Sequence, residues 1–184
     1  MIILALDLAS VTGVAVGSPG GAPTAWSVDL GQGRSEDARF SQALVLTHKL
    51  IERHKPDLLA IEAPIGGKVT SHFLVGLVAC VRGCAYNRKV RAVRYEVAEI
   101  RKHFLGGHIT SAHYKHIKNP RQAREAARNA GKAAVMQRCK ALGWDAQDYD
   151  AADACALWDL TAALESRSHQ ITSIPGLFAQ GRTA

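Results

Sequence analysis

Short apolar runs separated by polar turns open the chain. Residues 2–7 are apolar up to the final aspartate and rich in β-forming side chains, which predicts a buried strand. Residues 13–17 and 24–30 have the same character and follow turn residues, so this region predicts a three-stranded meander. Two later apolar runs, residues 57–62 and 90–95, predict further strands.

Helical spacing of apolar residues occupies most of the remaining chain. It predicts helices over residues 36–54, 71–87, 97–105, 121–142 and 150–164. We expect the fourth helix to break or kink at Gly131. Residues 106–120 have no apolar periodicity and predict a mobile basic loop.

This order of elements predicts an α/β fold. Three antiparallel strands followed by helix–strand units imply a mixed five-stranded sheet, a three-strand meander plus two parallel strands, with helices on both faces. We expect one domain over residues 1–165, with a basic loop or arm at 106–129 within it and a C-terminal tail at 166–184.

Composition is that of an ordinary globular protein. Of 184 residues, 47% are hydrophobic and 21% are charged, which argues against disorder and coiled coil. No apolar run approaches the ~18 residues of a membrane span, and the apolar N-terminus has no basic lead-in typical of a signal peptide. We therefore expect a cytoplasmic protein whose four cysteines are reduced.

The formal net charge of +7 is unevenly distributed. Residues 82–140 carry 15 Lys or Arg against 3 Asp or Glu, whereas acids outnumber bases in the rest of the chain. Tyrosines and histidines lie among these cations, a combination suited to nucleic acid, where rings stack on bases and cations pair with phosphates. A solvated basic face without a partner is the alternative.

Four acids stand out against their surroundings. Asp7 and Glu62 each end an apolar strand, and Asp150 and Asp153 lie three residues apart at the start of an apolar helix, hence on one helical face. If these carboxylates converge, they repel one another unless a cation neutralises them, and hard divalent cations prefer oxygen ligands. Alternatively, Asp150 is only an N-cap and Asp153 only complements the helix dipole.

The segments ILALDLASVTGVAV, LLAIEAP and DAADACALWDL resemble the three acidic motifs of RuvC-type Holliday junction resolvases, which have an RNase H-like fold. Leu8-Ala9 replace a Pro-Gly pair and the turn is one residue shorter, which is closer to the viral and prophage-type branch. The resemblance implies Asp7, Glu62, Asp150 and Asp153 as catalytic ligands of two Mg²⁺ or Mn²⁺ ions. It also implies Lys132 as a contact to the scissile phosphate, and a homodimer that cuts a four-way DNA junction.

Departures from the family's pattern concern DNA contacts. The family's aromatic wedge after the glutamate is missing, so we expect Ile65 to enter the junction and Lys68 to contact DNA. The connection before the last helices is longer than usual and predicts an added phosphate-binding arm, with a disordered insertion as the alternative. Its predicted DNA-binding residues are Lys115, Lys118, Arg121, Arg124 and Arg128.

Other functions remain open at this point. An RNase H-like nuclease acting on RNA or on other DNA structures would use the same acids. A non-catalytic protein that binds branched DNA would be expected to lack one of them. A sugar-kinase-like ATPase also begins with an aspartate strand, but it requires a second copy of the fold, for which this chain has no room.

Overall fold

A computed structural model of the chain describes residues 1–64, 71–107 and 109–166. The elements in chain order are β1 (Ile3–Asp7), β2 (Val11–Gly17), β3 (Thr24–Asp29), α1 (Glu36–His54), β4 (Leu58–Glu62), α2 (His72–Asn87), β5 (Arg91–Tyr95), α3 (Val97–Leu105), a 3-10 turn (Ser111–Tyr114), α4 (Pro120–Ala141) and α5 (Tyr149–Glu165). Among these described residues, no helix is long and apolar enough to cross a membrane.

The five strands form one mixed sheet in the order β3-β2-β1-β4-β5. β1, β2 and β3 pair antiparallel as a meander, whereas β4 runs parallel to β1 and β5 runs parallel to β4. The predicted α/β, RNase H-like arrangement of three antiparallel and two parallel strands is confirmed.

Alternation along the central strands divides the core into two layers. Leu4 and Leu6 of β1 pack with α1 and α2, in a cluster that includes Leu50 and Leu77. The intervening residues of β1 and β4 pack with α3, α4 and α5. Helices therefore cover both faces of the sheet, as the sequence predicts.

Helix α5 lies close against the sheet because small residues meet there. Its alanines at positions 151, 152, 154 and 156 are almost fully buried. On the strand side, a Cβ added to Gly13 of β2 would lie 1.9 Å from the carbonyl oxygen of Asp150. Only glycine allows the first turn of α5 to approach the sheet this closely.

The predicted break at Gly131 is wrong, because helix α4 runs unbroken through this residue. The helix begins at Pro120, one residue before its predicted start, so the part of the predicted arm from residue 120 to residue 129 is helical. The side chain of Asn119 caps this helix by accepting from the backbone N–H groups of Arg121 and Gln122, and a proline at the first position favours its start. The preceding segment also contains a 3-10 turn at Ser111–Tyr114.

Candidate active site

Asp7 and Glu62 lie at the same edge of the sheet. β1 and β4 are parallel neighbours in a register that pairs Leu6 with Ile61, which brings the next residue of each strand to the same level. Because Ala5 and Ala60 face the α3–α5 layer, alternation turns both carboxylates toward that layer as well.

Asp150 and Asp153 approach from the first turns of α5. The N-cap of this helix is Asp148, whose carboxylate accepts a 2.8 Å hydrogen bond from the backbone N–H of Ala151. Asp150 is therefore not the cap, and its side chain is free for another role. Asp153 is only 8% exposed, an unusual place for an acid.

Lys132 of α4 reaches both aspartates of α5. Its Nζ donates a 3.0 Å hydrogen bond to Oδ1 of Asp150 and lies 3.9 Å from Oδ2 of Asp153. Burial by itself lowers the pKa of Lys132, but the bond to Asp150 and the charges of Asp150, Asp153 and Asp7 outweigh it and raise the pKa. Lys132 is consequently a cation in this site.

Arg101 of α3 is a site residue that sequence reasoning missed. Its Nη2 lies 3.5 Å from Oδ1 of Asp153, and both side chains are about nine-tenths buried. A Cβ added to Gly131 would lie 1.9 Å from Nη1 of Arg101. The glycine that looked like a helix break was the available signal, because it makes room for the guanidinium.

Burial and mutual repulsion disfavour the charged forms of three of these carboxyl groups. Burial, followed by repulsion from Asp153, raises the pKa of Asp7 to about 7. Burial, followed by repulsion from Asp7, raises the pKa of Glu62 to about 9. Burial also raises the pKa of Asp153, although Arg101 and Lys132 oppose that rise.

An oxygen-only donor set of this kind suits a hard divalent cation. In the part of the chain that is described, however, no three His, Cys, Asp or Glu side chains are grouped closely enough to hold a metal ion. Lys132 and Arg101 are paired with the α5 aspartates, so they serve as the counter-charges in this arrangement. Side-chain rotation of the carboxylates would be required for them to share an ion.

The predicted catalytic residues line one cleft of about 680 Å³. Arg124 and Arg128, two of the predicted DNA contacts, lie on its wall together with Thr110 and Ser111. The acids and cations that line it are Asp7, Glu62, Arg101, Lys132, Asp150 and Asp153.

The other predicted DNA contacts are not brought into this cleft. Lys118 and Arg121 are exposed, and Lys115 borders a separate depression between the 3-10 turn and α4. Ile65 and Lys68 lie outside the described residues.

No family model matches the sequence, and no curated protein matches it. Solved structures are similar in fold. A Thermus thermophilus RuvC structure has a TM-score of 0.64 at 17% identity, covering 91% of this chain and 96% of that chain. T. thermophilus RuvC in complex with a Holliday junction substrate has a TM-score of 0.63 at 15% identity, covering 91% of this chain and 95% of that chain. The yeast mitochondrial Holliday junction resolvase Ydc2 has a TM-score of 0.54 at 9% identity, covering 88% of this chain and 80% of that chain.

These similarities extend over most of each chain, so they concern the whole described domain and not an isolated motif. At these identities they establish architecture, which is the property that the three acidic motifs predicted. The chain has the RNase H-like fold of the RuvC structures.

Proposed function

We propose that this protein is a metal-dependent endonuclease that cuts four-way or other branched DNA. The observation that carries the proposal is the convergence of Asp7, Glu62, Asp150 and Asp153 on one cleft, from two strands and one helix. Two arginines of α4 lie on the wall of the same cleft. A fold shared with a RuvC that was solved with a Holliday junction substrate supports this choice of substrate.

Asp7, Glu62, Asp150 and Asp153 are the residues that would hold Mg²⁺ or Mn²⁺, two ions per site. When bound, such ions activate water and stabilise the leaving oxygen in phosphodiester hydrolysis. The protein contributes the framework: the paired ends of β1 and β4 fix two carboxylates, and Gly13 lets α5 bring the other two close to them.

Lys132 and Arg101 have a different role in the proposal. Each pairs with an α5 carboxylate in the structure, at 3.0 Å for Lys132 and 3.5 Å for Arg101. When a phosphodiester enters the cleft, these donors face it and stabilise the negative charge that builds up on its oxygens. The raised pKa of Lys132 makes it a donor and excludes it as a general base near neutral pH.

A homodimer is part of the proposal. A two-fold pair of active sites matches the two-fold symmetry of a four-way junction, and it would place one nick in each of two opposing strands. The basic region between residues 82 and 140 supplies the attraction for the phosphate backbone.

The test is cleavage of a synthetic four-way DNA junction, with a linear duplex of the same sequence and an RNA–DNA hybrid beside it, each with and without Mg²⁺. Paired symmetric nicks confined to the junction are expected, and Asp7→Asn is the matched inactive control. Cuts in the hybrid alone would mean that the substrate is the RNA–DNA hybrid and not branched DNA. Tight junction binding without any cut, in Mg²⁺ or Mn²⁺, would contradict the enzyme and favour a DNA-binding protein.

A further inference from the structure

A seam of small residues runs along α4 in steps of four. Ala123 and Ala127 are about 95% buried, and Gly131 continues the seam against Arg101. A basic residue directly follows each member of the seam. These basic residues are Arg124, Arg128 and Lys132. The burial of the seam therefore fixes a parallel line of cations along one edge of the helix.

This line leads into the cleft. Lys132 lies against the carboxylates, Arg128 and Arg124 line the cleft wall, and the exposed Arg121 extends the line outward by one more turn. We call Arg121, Arg124 and Arg128 the α4 track. None of its three members forms an ion pair with an acid among the described residues, although Glu125 lies beside them.

The line is interrupted after Lys132. The next positions of the seam and of its edge are apolar, since Val135 is fully buried and Met136 packs against the same core. The edge becomes basic again only at Lys140, two turns farther along the helix. The basic positions that lead without interruption to Lys132 therefore all lie on its N-terminal side along α4. The carboxylate cluster marks the end of this path.

The length of the path fits a nucleic-acid backbone. From Arg121 to Lys132 the helix rises by about 16 Å, at ~1.5 Å per residue. Phosphates of one duplex strand rise by ~3.4 Å each along the axis but lie farther apart along the strand, because the strand winds around the axis, so the path covers roughly three of them. Arginine suits phosphate oxygens because its guanidinium donates two parallel hydrogen bonds.

We propose that the α4 track binds consecutive phosphates of the cleaved strand on one side of the scissile phosphate and not on the other. This inference rests on the proposed nuclease function for its reference point. It assigns an order: Arg128 takes the phosphates nearest the cut and Arg121 the most distant ones. These contacts are to the backbone, so they act equally on all sequences.

The experiment neutralises single phosphates with methylphosphonates, at each position on both sides of the cut in a four-way junction. Binding is measured without divalent metal for the wild type and for Arg121→Gln, Arg124→Gln and Arg128→Gln. Lys140→Gln is the matched control, since Lys140 is exposed on the same helix about 12 Å beyond Lys132. Circular dichroism verifies the helix content of each variant.

In the wild type, we expect neutral phosphates to weaken binding only within roughly three positions on one side. Each track variant should lower the slope of log K against log salt by about one, and Lys140→Gln should leave it unchanged. For each variant, a methylphosphonate at the phosphate that the replaced arginine contacts should cause no further loss of affinity. This phosphate is nearest the cut for Arg128 and farthest from it for Arg121. The proposal would be overturned if methylphosphonates weakened binding equally on both sides of the cut. It would also be overturned if Lys140→Gln lowered the salt slope as much as the track variants do.

The outcome separates the track from the nuclease. If the protein binds junctions but never cuts, another reference point is needed. It is then the phosphate at which a methylphosphonate weakens binding of the wild type but not of Lys132→Gln. One-sided interference from there supports the track while the nuclease proposal fails. Cutting combined with two-sided interference supports the nuclease and rejects the track. Absence of measurable binding to any of these nucleic acids rejects both.

Discussion

The two faces of the sheet are built from the same strands but differ where β1 ends. On the face covered by α1 and α2, the alternation Leu4, Leu6, Leu8 stays apolar and buried to the end. On the face covered by α3, α4 and α5, Ile3 and Ala5 are followed by Asp7. The first face is a continuous core, whereas the second is interrupted by charge at its edge.

The helices repeat this difference. α1 and α2 place leucine, isoleucine and valine against the sheet. The other layer uses alanines and glycines near the charged edge, and it brings Arg101 and Lys132 to the carboxylates. We conclude that the second layer gives up part of its hydrophobic stabilisation at this edge to hold like charges together.

The largest expected effect of a single change is on the charged edge. Asp7→Asn, Glu62→Gln or Asp153→Asn should each lower the cleavage rate by ~10³-fold or more, because metal assistance is worth several kcal/mol. Without metal, the melting temperature of Asp7→Asn or Glu62→Gln should stay the same or rise, since a repulsion is removed. Asp153→Asn should lower it, because the buried Arg101 loses its ion pair. Single-turnover cleavage and thermal melting test this. Full cleavage in any variant would exclude that residue from the metal site.

A change in the apolar layer should have the opposite signature. Leu4 is fully buried and remote from the cleft, so Leu4→Ala should lower the free energy of unfolding by about 2–5 kcal/mol. The cleavage rate of the folded fraction should not change. Urea denaturation and cleavage at a temperature where the variant is folded are the measurements. A rate loss in the folded variant would mean that the two layers are not independent.

Lys132→Ala sharpens the comparison within the charged layer. We expect cleavage to slow by roughly 10²-fold, the typical cost of removing a donor to a developing oxyanion, with a much smaller change in junction affinity. Lys132→Arg retains the charge and should recover part of the rate. Rates at saturating and at limiting protein separate the two quantities. A pure loss of affinity would remove Lys132 from the chemistry.

The smallest expected effect compares glycines from the two layers. Gly13→Ala should cost about 1–3 kcal/mol of stability and also slow cleavage, because a Cβ would meet the backbone of Asp150. Gly83→Ala on the exposed side of α2 meets nothing within 4 Å and should stabilise by about 1 kcal/mol without altering cleavage. Denaturation and cleavage of both variants test the pair. If the two variants had the same stability and the same cleavage rate, α5 would tolerate displacement from the sheet.

Local pattern was sufficient for most elements of the fold. The strands of residues 3–7 and 58–62, the meander and the boundaries of α2 and α3 follow from apolar runs, periodicity and turn residues. The start of α4 was displaced by one residue, because Asn119 is the N-cap and Pro120 the first helical residue, but the larger error was at Gly131. A glycine in a helix signals either a break or a close approach, and only the neighbouring side chain decides between them.

The candidate site also has a part that the sequence predicted and a part that it did not. The sequence by itself determined which carboxylates stand against their apolar surroundings, because a charged residue that ends a buried strand is visible without any partner. Only the tertiary structure decided that Arg101 joins them, that Asp148 and not Asp150 caps α5, and that two arginines of α4 line the cleft. The cap is a local contact, from Asp148 to the backbone three residues on. The other two facts depend on distances between residues far apart in the chain. Such distances are set by how closely α3, α4 and α5 pack on the sheet through Gly13 and Gly131.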